Sequence, residues 1–400
     1  MSIELTFTDE QKALRETVAR FAKDEIAPVA HEMDEKEEFP TKTVAKMKEM
    51  GFFGVPIPEE YGGLGLGKVG YCIMLEEIGK VDASHIAILA AHTSLGTSPL
   101  LYYGTPEQKQ KYLTPAAKGE RIMAFSLTEP VSGSDSGGLI TEAKEEGDYW
   151  VINGDKIYVT NGVEAGQVVV MAANDVKKGS HGGITAFLVE KGTKGFRVGR
   201  EEKKMGLHGT STAELIFENC AVPKANVIGE VGQGFKVAMT ALDVGRVSLG
   251  AGSLGGMQGA LDLALEYSKN RMQFDQPIVW YQAIQFKLAD IAMHILALRN
   301  MVYQAAAYQD RMGHDVSKWG RTERKQKSRD SAIIKCLASE WASKAITDSL
   351  QIHGGIGYIR GTPIERAYRD ARISEIFEGT NEIQRLIIAG DLIERGWVNE

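Results

Sequence analysis

Apolar positions in the first part of the chain keep a helical period. Leu14, Val18, Phe21, Ala22 and Ile26 fall on one face of a helix. Just ahead of them, Thr8-Asp9-Glu10-Gln11 has the form of a capping box, in which the Thr hydroxyl and the Gln amide satisfy free N–H groups. PIPEEYGGLGLG, residues 56–67, reads as a loop by its Pro and Gly content. Helical runs resume from Ile73 to Ile78 and from Ile86 to Leu95. Near residue 121 the period shortens. RIMAFSL, YWVING, KIYVTN, QVVVMAA, GITAFLVEK and TAELIFE are short β-rich runs parted by Gly, Asn and Asp, the pattern of a sandwich or barrel. VPKANVIGEVGQGF, residues 222–235, is the hinge back to helical spacing. The pattern predicts an α+β chain: an N-terminal helical domain over 1–120, a middle β domain over 121–233 and a C-terminal helical domain over 234–400.

One segment departs from this scheme. GHDVSKWGRTERKQKSRD, residues 313–330, carries Lys318, Arg321, Arg324, Lys325, Lys327 and Arg329, with Trp319 as its large apolar residue. It reads as a solvated loop or helix extension inserted between elements, exposed and dispensable for chemistry.

Composition narrows the function classes. The 400 residues are enough for two or three domains, and 43% hydrophobic with 25% charged residues is an ordinary globular balance. A formal net charge of −7 argues against nucleic acid as the main partner. Cys72, Cys220 and Cys336 lie far apart with no C-x-x-C, so neither a metal site nor a disulfide framework is expected, and an odd count suits a reducing compartment. MSIELTFTDEQK at the start has no leader pattern, and no apolar run reaches the roughly 18 residues of a membrane span. The expected location is cytoplasmic.

Several stretches carry candidate chemistry, each with a plainer alternative. GLGKVG, residues 65–70, matches G-x-G-x-x-G but follows a Pro-rich loop and not a strand, so it reads as a flexible loop. FSLTEPVSGSDSGG, residues 125–138, enters a turn rich in hydroxyls and glycine, which can cradle an anion or a ring edge or be a polar hairpin. Period two puts Tyr158 and Thr160 on one strand face, for a flat cofactor or for a core. Arg271, Phe274 and Gln282 offer a guanidinium for pyrophosphate and a ring for adenine, or are surface residues. Asp243 and Arg246 precede a run of small residues, and QIHGGIGY, residues 351–358, ends a helix on glycines. In DARISEIFEGTNEIQRL, residues 370–386, Glu378 follows Ile376-Phe377 and precedes Gly379-Thr380. Gly379 breaks the helix, and Thr380 or Asn381 caps the next one. Glu378 is either a solvated turn residue or a base with a raised pKa.

In their order along the chain these motifs resemble the acyl-CoA dehydrogenase family, flavoenzymes that oxidise the α,β bond of acyl-CoA thioesters. FSLTEPVSGS, INGDKIYVTNG, KKMGLHGTST, NRMQFDQPI, QIHGGIGY and RDARISEIFEGTNEIQ carry the resemblance over nearly the whole chain. It implies a helical domain, a β domain and a four-helix bundle, with FAD between the last two, in a homotetramer. By this resemblance Phe125, Leu127, Thr128, Gly133 and Ser134 line the flavin, Ser134 also nearing the CoA arm. Tyr158 and Thr160 pack on the isoalloxazine. Arg271, Phe274 and Gln282 hold the dinucleotide end from the adjacent subunit. Gln351, Gly354 and Gly355 contact it too, with Thr380 and Asn381 close by. Asp243, Arg246 and Gly379 help to place the acyl-CoA substrate, and Glu378 is the catalytic base. The implied acceptor is an electron-transferring flavoprotein.

The sequence departs from the family pattern in places. Tyr158 stands where Trp is frequent, Asp275 replaces a Gly in FDQP, and the 313–330 segment is longer than usual. Some members carry the base just before the arginine of the Asp243–Arg246 helix, but here that position is Gly245. The family reaction removes an α proton while the β hydrogen leaves as hydride to the flavin. Desolvation is expected to lift the base from about 4.3 toward about 6–7. Alternatives are a member acting on cyclic, aromatic or dicarboxylic acyl-CoA, an enoyl-CoA reductase, an oxidase using O₂, and a flavin-free relative with a structural role. IAILAAHTSLG, residues 86–96, lies where the family lines its acyl pocket. Ala87, Ala91 and Ser94 share one helical face and leave room, for length or for width.

Overall fold

The computed structural model describes residues 7–397. Residues 1–6, part of the start read for a leader, lie outside the described residues. The N-terminal region is built from α1 (Asp9–Phe21), α2 (Ala27–Lys36), α3 (Thr41–Glu49), α4 (Gly67–Gly79), α5 (Ala83–Leu89), α6 (Ser98–Tyr103) and the single turns α7 (Pro106–Gln108) and α8 (Thr114–Ala117). The expected capping box forms: the Thr8 hydroxyl accepts from the Gln11 N–H at 3.2 Å, and Gln11 Oε1 accepts from the Thr8 N–H at 3.1 Å. Leu14, Val18 and Phe21 are buried beneath it.

The middle region is a sheet of β1 (Met123–Ser126), β2 (Glu142–Glu146), β3 (Tyr149–Thr160), β4 (Gln167–Ala173), β5 (Ile184–Glu190), β6 (Phe196–Glu201), β7 (Thr212–Pro223) and β8 (Val227–Ile228). Its order is β6-β7-β3-β2-β4-β5-β8, with β1 parallel to β4. All seven residues of β4 are buried, because this strand is covered on both faces.

The C-terminal region is a bundle of α9 (Gly234–Asn270), α10 (Gln282–Met312), α11 (Arg321–His353) and α13 (Asn381–Arg395). A hairpin of β9 (Met272–Gln273) and β10 (Gln276–Pro277) joins the first two, and α12 (Pro363–Ala371) precedes α13. The long helix α9 is the spine, packed by α4, α10 and α11. Small residues let α4 come close: a Cβ on Gly255 would stand 2.2 Å from the Glu76 carbonyl, so a larger residue there would force the helices apart. No helix among the described residues is long and apolar enough to cross a membrane.

Residues 313–330 correct the expectation. They do extend a helix, as a 3-10 turn at Val316–Lys318 and the first turns of α11, and Lys318 and Arg321 are exposed, but the segment is not solvated throughout. Trp319 is buried against Tyr102 and Val244, with its indole N–H donating to the Met312 carbonyl at 2.9 Å. Lys327 and Arg329 are buried as well. The ammonium of Lys327 lies 4.5 Å from the Trp319 ring and 5.4 Å from the Tyr102 ring. Attraction between cation and ring faces, and burial of the long stem, is what charge density alone hides.

A second difference concerns the predicted acyl wall. After α5 the helix opens into a π-turn over Ala90–Thr97, whose wider turn shifts the inward face. Ala87, Ala90, Ala91 and Leu95 line the cavity described below. Ser94 is turned into the core instead, where its hydroxyl lies within hydrogen-bond distance of Ser248 Oγ at 2.8 Å and Tyr71 Oη at 3.1 Å.

Candidate active site

Between the β domain and the bundle lies a cavity of about 930 Å³. Its β-domain wall is the end of β1 with the turn after it, including Phe125, Leu127, Thr128, Gly133 and Ser134, together with Tyr158 and Thr160 at the end of β3. The two strips are tied together. The Ile157 N–H donates to the Thr128 carbonyl at 3.0 Å. Lys156, fully buried, donates to the Leu127 carbonyl at 3.0 Å and to Glu129 Oε1 at 2.6 Å. Glu129 in turn accepts the N–H groups of Ile140 and Thr141. The end of β3 is not a plain strand. Pairing with β7 slips between Lys156 and Val159, and Tyr158 has φ +58°, so a bulge carries its ring outward, 63% exposed.

Opposite this wall is Glu378, on the turn between the 3-10 helix Arg372–Glu375 and α13. It has φ +56°, followed by Gly379 at φ +91°; a left-handed residue other than glycine marks strain, about 1–3 kcal/mol, that the surroundings must hold. They do so through its carbonyl, which accepts from Arg246 Nε at 3.3 Å and Gln384 Nε2 at 3.4 Å. Thr380 caps α13, as expected, accepting from the Ile383 N–H. The residue keeps some surface toward the cavity, but its Oε2 is buried with no hydrogen-bond partner. Burial pushes its pKa up to about 7, against the pull of the Arg246 and Lys335 cations.

Arg246 is fixed from behind. Its Nη1 donates to Asp243 Oδ1 at 3.0 Å, and Asp243 Oδ2 accepts from Ser328. Lys335 is fully buried and donates to Asn381 Oδ1 at 2.7 Å; burial pushes its pKa down to about 8. Sequence reasoning missed Lys156, Ser328 and Lys335. The one signal for Lys335 was a charge in the apolar run Ile333-Ile334-Lys335-Cys336-Leu337.

Of the residues singled out from sequence, Phe125, Leu127, Thr128, Gly133, Ser134, Tyr158, Thr160, Arg246, Glu378, Gly379 and Thr380 line this one cavity. Asp243 stands behind Arg246, and the Asn381 amide is engaged inside the bundle by Lys335 and Ser339. Arg271, Phe274, Gln282, Gln351, Gly354 and Gly355 are exposed at the far end of the bundle, where Tyr267 stacks on His353 at 4.6 Å. The hairpin turn there takes both Phe274 (φ +49°) and Asp275 (φ +66°) through the left-handed region, so Asp does there what a glycine would.

Three family models match the chain in series: the acyl-CoA dehydrogenase N-terminal domain over residues 8–120, the middle domain over 124–220 and the C-terminal domain over 232–393. The chain belongs to the acyl-CoA dehydrogenase family. This acyl-CoA dehydrogenase relative is 45% identical to the acyl-CoA dehydrogenase of Bacillus subtilis (strain 168) over 386 residues, covering 96% of this chain and 98% of that one. It is 44% identical to the mitochondrial short-chain specific acyl-CoA dehydrogenase of Mus musculus, over 98% of this chain and 92% of that one. A solved structure of the electron transferring flavoprotein of Acidaminococcus fermentans contains a chain that matches it at a TM-score of 0.92 and 43% identity, over 98% of this chain and 100% of that chain.

Proposed function

We propose that the protein is an FAD-dependent acyl-CoA dehydrogenase in which Glu378 removes the α proton of a bound acyl thioester. The observation that carries this reading is the Glu378 carboxyl itself, which faces the cavity with an unpartnered oxygen and a pKa lifted to about 7. A base so poised is matched to neutral pH. The α proton of a thioester is weakly acidic, so negative charge developing on the thioester oxygen needs donors; the N–H of Glu378 would be the chain's own. Arg246, held by Asp243 and bonded to the Glu378 carbonyl, keeps the base in its turn.

The residues present fit a flavin. Gly133 has open space where a Cβ would stand, with nothing within 4 Å, and Tyr158 offers an exposed ring at the cavity rim. Phe125, Leu127, Thr128, Gly133, Ser134, Tyr158, Thr160 and Thr380 would hold FAD, which when bound takes up the hydride leaving the β carbon. Arg271 lies 26 residues beyond Gly245 on α9, about 39 Å at the helical rise. It and its neighbours Phe274, Gln282, Gln351, Gly354 and Gly355 would therefore serve the cofactor of an adjacent subunit in a homotetramer. The acceptor is an electron-transferring flavoprotein and not NAD: Gly65–Gly70 opens α4 out of a loop, without the strand a dinucleotide fold needs. The three buried thiols suit the reducing cytoplasm.

The test is anaerobic reduction. Purified protein should be yellow, and acyl-CoA should bleach it. Glu378→Gln should still bind flavin and acyl-CoA but bleach several orders of magnitude more slowly, because an amide cannot take the proton. A variant that keeps more than a few per cent of the rate removes Glu378 from the role.

A further inference from the structure

The cavity does not end at Glu378. Segment 79–95 runs antiparallel to α9, and three close approaches fix its course. A Cβ on Gly245 would meet Leu95 at 2.9 Å as well as Glu378, one on Gly252 would meet Ile86 at 2.9 Å, and one on Gly259 would meet the Lys80 carbonyl at 2.2 Å. Cavity-lining residues continue along this whole stretch, with Leu249, Ser253, Gly256 and Ala260 on the α9 side. Gly245 to Gly259 is about 21 Å of helix. At Gly256 the space is open: a Cβ there would find only the tip of Ile346, at 3.9 Å. Ala87 and Ala91 keep the opposite wall shallow.

A butyryl group is shorter than one helical turn, about 5.4 Å, and would leave most of this slot unfilled. Apolar surface left against an empty cavity contributes nothing to binding, whereas each methylene that enters it adds to affinity. The room therefore runs in length along α9. Resting on the reading of this cavity as an acyl-CoA site, we infer that the substrate class is straight-chain acyl-CoA well beyond butyryl, with its tail running along α9 past Gly256. The short-chain specificity named for the mouse relative does not transfer to this chain.

The experiment is a ladder of butyryl-, octanoyl- and dodecanoyl-CoA, read as kcat/KM with a dye acceptor. Calorimetric binding of the matching 3-thia-acyl-CoA compounds, which bind without turnover, runs beside it. Dodecanoyl-CoA should exceed butyryl-CoA by at least tenfold in both readouts. Gly256→Leu, which fills the slot from a helical position with space for it, should collapse that ratio toward one; Ala91→Leu is the second variant should the first fail to fold. Equal or better use of butyryl-CoA by the unaltered protein overturns the inference and leaves the dehydrogenase reading standing. Failure of every acyl-CoA to bind or react overturns the dehydrogenase reading instead.

Discussion

A Cβ on Gly245 would stand 2.3 Å from Oε2 of Glu378. The helix position just before Arg246 and the carboxylate on the α13 turn thus compete for the same volume, and a side chain at one excludes the present placement of the other. Gly245→Ala separates packing from chemistry. Ala gains about 1 kcal/mol over Gly in a helix interior, and the atoms it meets are the movable ends of Glu378 and Leu95. The fold should keep its stability to within about 1 kcal/mol while the carboxylate is pushed aside and turnover falls at least tenfold. Denaturant melts and kcat, measured on one preparation, check this; unchanged kcat would mean the base does not need its present position.

Glu378 also makes stability depend on pH. Its folded pKa, about 7, lies above the ordinary 4.5. The folded state therefore holds a proton over a window in which the unfolded state has shed it, and stability falls as pH rises from about 4.5 to about 7. Glu378→Gln removes that dependence. In flavin-free protein the variant should equal the unaltered chain near pH 4 and exceed it at pH 8 by up to about 3 kcal/mol. Turnover of the unaltered enzyme should rise with pH through about 7 as the base ionises. Parallel stability curves across this range would argue that the carboxyl is not desolvated.

The turn that carries Glu378 into the cavity was legible in sequence because its signal is local: apolar Ile376-Phe377, then a glycine, then a cap. The two strips of the β-domain cavity wall were legible for the same reason, as contiguous motifs. What stayed hidden depends on elements distant in sequence. Lys156 looks like an ordinary strand lysine until β3 lies beside the turn after β1. A regular helix would put Ser94 on one face with Ala87 and Ala91, but the π-turn changes the rotation. The charge density of residues 313–330 does not reveal that Lys327 is buried over two rings.

Trp319 is the anchor of that segment. It packs on Tyr102 at 5.3 Å between ring centroids and touches Val244, next to Asp243 on α9. Loss of a buried Trp side chain costs about 3–5 kcal/mol, so Trp319→Ala should lower the denaturation midpoint far more than Lys318→Ala, an exposed neighbour. Its effect should reach the site: with the start of α11 loosened, Ser328 no longer holds Asp243, and KM for acyl-CoA should rise. Equal midpoints for the two variants would return the segment to the role of a dispensable insertion.

The Lys156–Glu129 pair carries a sharper prediction, because its two halves are not equivalent. Both side chains are wholly buried. Lys156→Met leaves the Glu129 charge uncompensated in the sheet, and breaking a buried pair from one side costs about 3–5 kcal/mol. Adding Glu129→Gln should recover part of that loss, since the amide oxygen still accepts from the Ile140 or Thr141 N–H and no lone charge remains. Stability and cofactor binding should then part company. Neither variant has the ammonium that joins the Leu127 carbonyl to Glu129, so the turn after β1 and the bulge at Tyr158 lose their common brace. The double variant should be more stable than Lys156→Met alone, yet retain FAD at least tenfold less well than the unaltered protein. Urea melts give the first comparison and equilibrium dialysis of FAD the second. If flavin affinity recovers together with stability, the pair serves the fold alone and does not shape the cofactor wall.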